Sequence, residues 1–169
     1  MSILSSRTRN SGGQAGPLSL GVDPGTRRIG YGLVRRDGNG LTFVAAGILK
    51  IKSADDISAL EETKKETDAL IKKYRPDVVG VERLFFAKNQ KTAIAVAQAR
   101  GVILLSAREQ KIPIKEYAPN EVKLGVTGYG FADKAAVLKM VRLTLKKHDL
   151  AVIDDASDAL ALAIMAVGH

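Results

Sequence analysis

Leu18-Ser-Leu-Gly-Val-Asp23 is a short apolar run that ends in an acid, and Asp77-Val-Val-Gly-Val-Glu82 repeats the arrangement. Each reads as a buried strand with a carboxylate at its C-terminal end. In open α/β sheets, sites form beyond the carboxyl ends of the strands. If these two strands are neighbours, Asp23 and Glu82 stand side by side. Outward from the first run, residues 29–36 and 41–51 read as two further strands, joined into a hairpin by the turn Asp37-Gly-Asn-Gly40. Ile57, Leu60, Thr67, Leu70, Ile71 and Tyr74 recur at helical spacing and predict a helix over 56–74, which Arg75-Pro76 ends. A helix over 90–110, a strand over 112–117 and a short helix opened by Pro119 follow. Asp133 then caps a helix to about residue 147. A last helix spans 154–167, with Ala156, Leu160, Ala163, Ile164 and Val167 as its apolar face. The order β-β-β-α-β-α-β-α-α-α predicts an α/β fold: a five-stranded mixed sheet with helices on both faces.

The chain has 169 residues, enough for one domain with a sizeable core. Residues 1–17, rich in Ser and Gly and carrying Arg7 and Arg9, are expected to be a disordered tail before a domain at 18–169. That tail lacks the apolar centre of a secretory signal, and no stretch approaches the length of a membrane span, so a cytoplasmic location is expected. With no cysteine and two histidines, thiolate and imidazole metal sites are disfavoured. Any metal must be held by oxygen, which suits Mg²⁺ or Mn²⁺.

The net charge is +8, from 26 Lys and Arg against 18 Asp and Glu. The surplus lies in the middle of the chain: Arg83, Lys88, Lys91, Arg100, Arg108, Lys111 and Lys115 are interrupted by one acid, Glu109. Such a run draws polyanions, although a solvated basic face is an equally ordinary reading. Upstream, Glu61/Lys65 and Asp68/Lys72 are spaced for pairing along one helix.

The remaining acids fall near the C-terminus. Asp155 and Asp158 are spaced i,i+3, and Asp154 and Asp158 i,i+4, so periodicity leaves the choice between Asp154 and Asp155 open. An acid after a strand is often a turn residue, and one at a helix start is often a cap. Four gathered carboxylates are a different matter. Two like charges ~4 Å apart cost about 4 kcal/mol at an effective dielectric of 20, so protons or cations must come between them. Two divalent ions roughly 3.5–4 Å apart could clamp the attacking and leaving oxygens of an in-line displacement, which predicts phosphodiester hydrolysis.

The individual strings resemble one family. Gly21-Val-Asp-Pro-Gly-Thr26 with Gly30-Tyr-Gly32, and Glu82-Arg-Leu-Phe-Phe-Ala-Lys-Asn89, resemble the first two acidic motifs of RuvC, the bacterial Holliday (crossover) junction endodeoxyribonuclease. Gln98-Ala-Arg-Gly101, Glu116-Tyr-Ala-Pro119, Val122-Lys123, Gly128-Tyr-Gly130 and Ala132-Asp-Lys134 follow in the family's order. Asp155-Ala-Ser-Asp-Ala-Leu-Ala161 resembles its closing motif, with Ser157 where the family usually has Ala. The likeness runs from about residue 18 to the C-terminus and leaves residues 1–17 without a counterpart. It implies a ribonuclease H-like fold and a homodimer. The implied activity is Mg²⁺-dependent resolution of four-way junctions by paired nicks, in DNA recombination and repair. Two ions per site are expected, with Mn²⁺ able to substitute. Carried over by position, the catalytic and metal-binding acids are Asp23, Glu82, Asp155 and Asp158, with Asp154 only a neighbour. RuvA and RuvB are implied partners.

A C2 dimer suits a four-way junction, which has approximate two-fold symmetry. The helix after Asn89, with Ala93, Val96, Ala97 and Gly101, has a small-residue face fit for dimer contact or for its own sheet. Phe85 resembles the family's base-stacking phenylalanine, with Phe86 packing inward. Lys123 and Lys134 resemble its basic residues near the scissile phosphate, and Lys88 and Arg83 are further candidates for phosphate contact. Tyr129, between two glycines, suggests a mobile loop that orders on DNA. Three rival readings remain. Gly21-x-Asp-x-Gly-Thr26 also resembles the phosphate loop of actin-like ATPases, which need a second such domain. The YqgF group, related nucleases linked to RNA processing, is a nearer rival, and the Phe-Phe-Ala-Lys-Asn and Gln-Ala-Arg-Gly strings favour RuvC over it. A catalytically inert junction-binding module would not require the intact acidic set.

Overall fold

The computed structural model describes residues 15–84, 90–152 and 154–168. Its elements are β1 (Leu18–Asp23), β2 (Arg28–Asp37), β3 (Gly40–Lys50), α1 (Asp56–Tyr74), β4 (Val78–Glu82), α2 (Gln90–Glu109), β5 (Ile114–Tyr117), α3 (Pro119–Thr127), α4 (Lys134–Thr144) and α5 (Asp154–Val167). The five strands form one mixed sheet in the order β3-β2-β1-β4-β5. β2 runs antiparallel to both β1 and β3, while β4 lies parallel to β1 and β5 parallel to β4.

Local chemistry sets most boundaries. The Asp55 carboxylate accepts the Ser58 N–H at 2.8 Å to open α1, and Arg75, with φ at 51°, closes it before Pro76. α4 stops at Thr144, short of the expected 147, because Lys146 turns to a φ of 53° and Leu145 closes back on Val141. β5 begins at Ile114, not at residue 112. The Ile112 N–H is engaged by the Ala107 carbonyl, in the turn that ends α2. Part of the expected tail is fixed: Arg35 donates to the Gly16 carbonyl at 2.9 Å, and the Arg36 N–H donates to the Pro17 carbonyl at 3.0 Å. Residues 1–14 of that tail lie outside the described residues. On α1 the ion pair formed is Lys64 with Asp68, and Lys64 also reaches Glu109 on α2, in place of the two pairs expected from spacing.

The sheet has a core on each face. Leu20, Val22, Val79 and Val81 pack with Ile71 of α1 and Ile103 of α2. On the other face Leu160 and Ile164 of α5 pack with Val122 of α3 and Val141 of α4. Because α5 lies between the sheet and the α3/α4 layer, it is buried well beyond its expected apolar face, with Ala159, Ala161, Leu162 and Ala166 also inside.

A row of glycines seats this helix. Gly21 is the register partner of Gly32 on β2 and of Gly80 on β4. A Cβ on Gly21 would run into the backbone of Ala159 and Ala163, one on Gly32 into Leu160, and one on Gly80 into the Leu162 carbonyl. The helix backbone therefore rests directly on the sheet backbone. Its last carbonyls find donors from the sheet: Tyr117 OH to Met165 O at 3.0 Å, Lys115 Nζ to Ala166 O at 2.9 Å and Arg36 Nη2 to Val167 O at 3.4 Å.

Candidate active site

Asp23 and Glu82 end the two parallel strands at the centre of the sheet, one position beyond the Val22/Val81 register pair. Asp23 is also paired with Gly30 of β2. A Cβ on Gly30 would strike the Asp155 carbonyl, so the first turn of α5 lies over the strand end that carries Asp23. Asp158, one turn along, faces the same cluster. Asp155 and Asp158 are both partly buried and raise the Asp23 carboxyl, whereas Asp154 is exposed and raises Lys134. The packing over Gly30 thus brings Asp155 to the strand end that carries Asp23.

The electrostatics are those of crowded like charges. Burial first, then the charges of Asp158, Glu82 and Asp155, push the Asp23 carboxyl from 3.8 to about 7, with Lys134 opposing. Glu82 is raised by burial and by Asp158, while Lys123 and Lys134 pull it back. Asp158 holds the Lys134 ammonium above its usual range. Two of the acids have turned to cations: Asp155 Oδ2 lies 3.3 Å from Arg28 Nε, and Asp158 Oδ2 lies 3.4 Å from Lys134 Nζ. As they stand, the acids are not a closed cage; among the described residues no three His, Cys, Asp or Glu side chains are arranged to hold a metal ion. The donor set itself is all hard oxygen, in a place that raises a carboxyl for want of positive charge, and this fits a divalent cation of the Mg²⁺ class.

Beside the acids opens a cleft of about 270 Å³, lined by Glu82 and Asp158, by Lys123 and Lys134, and by Pro119 and Val122. The sequence-predicted Lys123 and Lys134 therefore join Glu82 and Asp158 in one cleft. Phe85, Phe86 and Lys88 lie outside the described residues. A larger hollow of about 660 Å³ beside α1 is remote from these acids. Its Glu62 is already bonded by the N–H groups of Lys52 and Ser53, which makes it a clamp on the loop before α1.

Two cation contacts beside the acids escaped the sequence reading. Arg28 pairs with Asp155, 127 residues away in the chain. Arg100 of α2 donates through Nε to the Glu82 carbonyl at 2.9 Å and pairs with Glu116, so it fixes the strand end that carries Glu82. Neither contact has a local signal. Several members of the basic run are likewise engaged inside the molecule: Lys115 caps α5, and Arg83 donates to the Glu116 carbonyl. The run is thus only partly a surface feature.

Comparison with known proteins places this geometry. The family model for crossover junction endodeoxyribonuclease RuvC matches residues 19–166. Among curated relatives, the crossover junction endodeoxyribonuclease RuvC of Chloroflexus aggregans is 46% identical over 147 residues, covering 86% of this chain and 90% of that protein. The one from Fusobacterium nucleatum is 43% identical over 146 residues, covering 86% and 77%. The structure is similar to that of Thermus thermophilus RuvC in complex with Holliday junction substrate, with a TM-score of 0.80 at 29% identity over 87% of this chain and 90% of that one. The yeast mitochondrial Holliday junction resolvase Ydc2 shares the fold, with a TM-score of 0.61 at 15% identity. It covers 86% of this chain and 76% of that one.

Proposed function

Because the chain belongs to the crossover junction endodeoxyribonuclease RuvC family, we propose that it resolves four-way DNA junctions by hydrolysing phosphodiesters at the Asp23–Glu82–Asp155–Asp158 cluster. The observation that carries this reading is the gathering of four carboxylates, with Glu82 and Asp158 lining a cleft shared with Lys123 and Lys134, and Asp23 raised to about 7 by burial and the other three acids. Asp23, Glu82, Asp155 and Asp158 would hold divalent cations. Bound there, such cations neutralise the acids and supply Lewis-acid stabilisation to a phosphate oxygen. Mg²⁺ is the proposed ion, with Mn²⁺ able to substitute and two ions per site.

The protein's own groups divide the remaining work. Asp23 must lose its proton to act as a ligand. Lys134 and Lys123 sit where they can offset phosphate charge and oppose the upward push on the Glu82 carboxyl. Arg28 and Lys134 now hold Asp155 and Asp158; in the loaded site they become free to meet the DNA backbone. Phe85 and Lys88 belong to the proposal as DNA contacts on family grounds alone.

Paired nicking calls for two sites, and we place the dimer contact on α2. Ile94 and Leu105 are exposed on this helix, and Gly101 between them has open space beside it. A second copy laid on that stripe would bury it. RuvA and RuvB complete the proposed set of partners, and recombination and repair of DNA is the proposed setting.

The deciding experiment is cleavage of a synthetic four-way junction with Mg²⁺, beside a linear duplex of the same sequence, for wild type and Asp23→Asn. Paired symmetric nicks in the junction alone, abolished by EDTA and lost at least about 10³-fold in the variant, are expected. Junction binding without any cut, across several sequences and with Mn²⁺, would replace the nuclease by an inert binding module. Preferential cutting of RNA would favour the YqgF reading.

A further inference from the structure

Phe131, in the segment between α3 and α4, is the most exposed large apolar side chain among the described residues, at 83%. Tyr129 is 61% exposed beside it and Leu124 56%. The two rings stand 5.8 Å apart between centroids at 59°, a mutually attractive arrangement.

The backbone beneath them is fastened. The Tyr129 N–H donates to Thr127 Oγ1 at 3.1 Å, and the Thr127 hydroxyl lies 2.8 Å from the Lys123 carbonyl. The Ala132 N–H donates to the Tyr129 carbonyl at 3.1 Å. Gly128, with φ at 79°, closes α3 on Leu124. The segment is a hydrogen-bonded turn that presents two aromatic faces to solvent.

Its position limits what it can meet. Lys123 and Lys134 flank the turn in sequence, and both line the cleft that holds Glu82 and Asp158. Asp133, the one acid in the turn, has its carboxylate engaged by the Ala136 N–H at 2.7 Å. The tip therefore offers flat apolar faces between two lysines of that cleft, of which Lys134 is paired with Asp158 at 3.4 Å. A nucleotide has both complementary parts, a π-face and a phosphate.

We propose that the Tyr129–Phe131 tip is a base-contacting site, on which an unstacked base of the strand entering the cleft stacks while Lys123 and Lys134 take the flanking phosphates. This site rests on the junction-endonuclease reading and adds a contact to it.

The test compares wild type, Tyr129→Ala/Phe131→Ala and Phe131→Trp. Junction affinity is measured with Ca²⁺ in place of Mg²⁺, together with the fluorescence of 2-aminopurine placed near the crossover and the Tm of each protein. Wild-type cleavage of the same junction is scored alongside. Loss of one stacking ring corresponds to roughly 5- to 150-fold weaker binding, and the double variant is expected to fall in or beyond that range with its Tm unchanged. It should also lose the 2-aminopurine response, while Phe131→Trp retains both. If wild type cuts the junction but the double variant binds it and responds as wild type does, the base-contact site is overturned alone, and a protein partner becomes the candidate occupant. If wild type neither binds nor cuts any junction, the function reading fails, and this site falls with it.

Discussion

Asp23 must carry a negative charge where three other carboxylates already press on it, and its behaviour with pH follows. Its folded value of about 7 lies above the ordinary 3.8. The folded state therefore keeps a proton that the unfolded chain gives up. That contribution to stability is complete below about pH 3.8 and fades as pH rises to about 7. A divalent cation needs the ionised carboxylate, so its binding strengthens over the same window. In thermal unfolding, the rise in Tm given by Mg²⁺ or Mn²⁺ should grow up to about pH 7 and then level off; a pH-independent rise would contradict the shared role of Asp23. In the metal-free protein, the carboxyl ¹³C resonance of Asp23 should titrate near 7, and at lower pH in Asp158→Asn, which removes the largest of the three like charges. The acids themselves were legible in the sequence, because each ends an apolar run or lies one helical turn from its partner. Their counter-ions were not. Arg28 meets Asp155, and Arg100 meets Glu82 and Glu116, only after the chain has folded, and no local spacing records such contacts.

At the level of elements, the seat of α5 decides how the acids meet. Gly21 and Gly80 each stand two residues before a strand-terminal acid, so the glycine row and the acid row run in step across β1 and β4. Gly21→Ala would force α5 off the sheet, because its Cβ meets helix backbone, which has no rotamer to yield. A loss of about 2 kcal/mol or more in chemical denaturation is expected, with cleavage falling further than stability accounts for. A variant as stable and active as wild type would show that the helix can lift without cost. A glycine inside a strand is a readable sign of close backbone approach, and those at 21, 30, 32 and 80 all meet α5. The helix each would receive was not readable, since the face that the period of α5 predicts omits Ala159 and Leu162, which lie against Gly21 and Gly80. Periodicity also left Asp154 and Asp155 open, and the structure lays Asp155 over Gly30.

At the scale of the whole molecule, the exposed stripe of α2 and the acidic cluster lie on different elements, so association and chemistry are separable by mutation. Leu105→Glu should leave the fold and junction binding by single protomers in place while converting a dimer to a monomer in sedimentation equilibrium. Paired nicks would then become independent single nicks; a wild-type protein that sediments as a monomer at working concentration would remove the α2 dimer. The fold order and the two-faced sheet were legible because they depend on periodicity and turn chemistry alone. The proposed surface for a second copy was not, because a helix stripe of small and apolar residues suits its own sheet as well as a partner. The backbone-on-backbone seat of α5 has a mechanical consequence as well. Where the strand glycines meet helix backbone there is little free volume to squeeze, so hydrostatic pressure that loosens a side-chain-packed interface should leave the spacing of helix and strands at Gly21, Gly32 and Gly80 nearly unaltered. Asp23 and Glu82 are mounted two residues from that stiff seat.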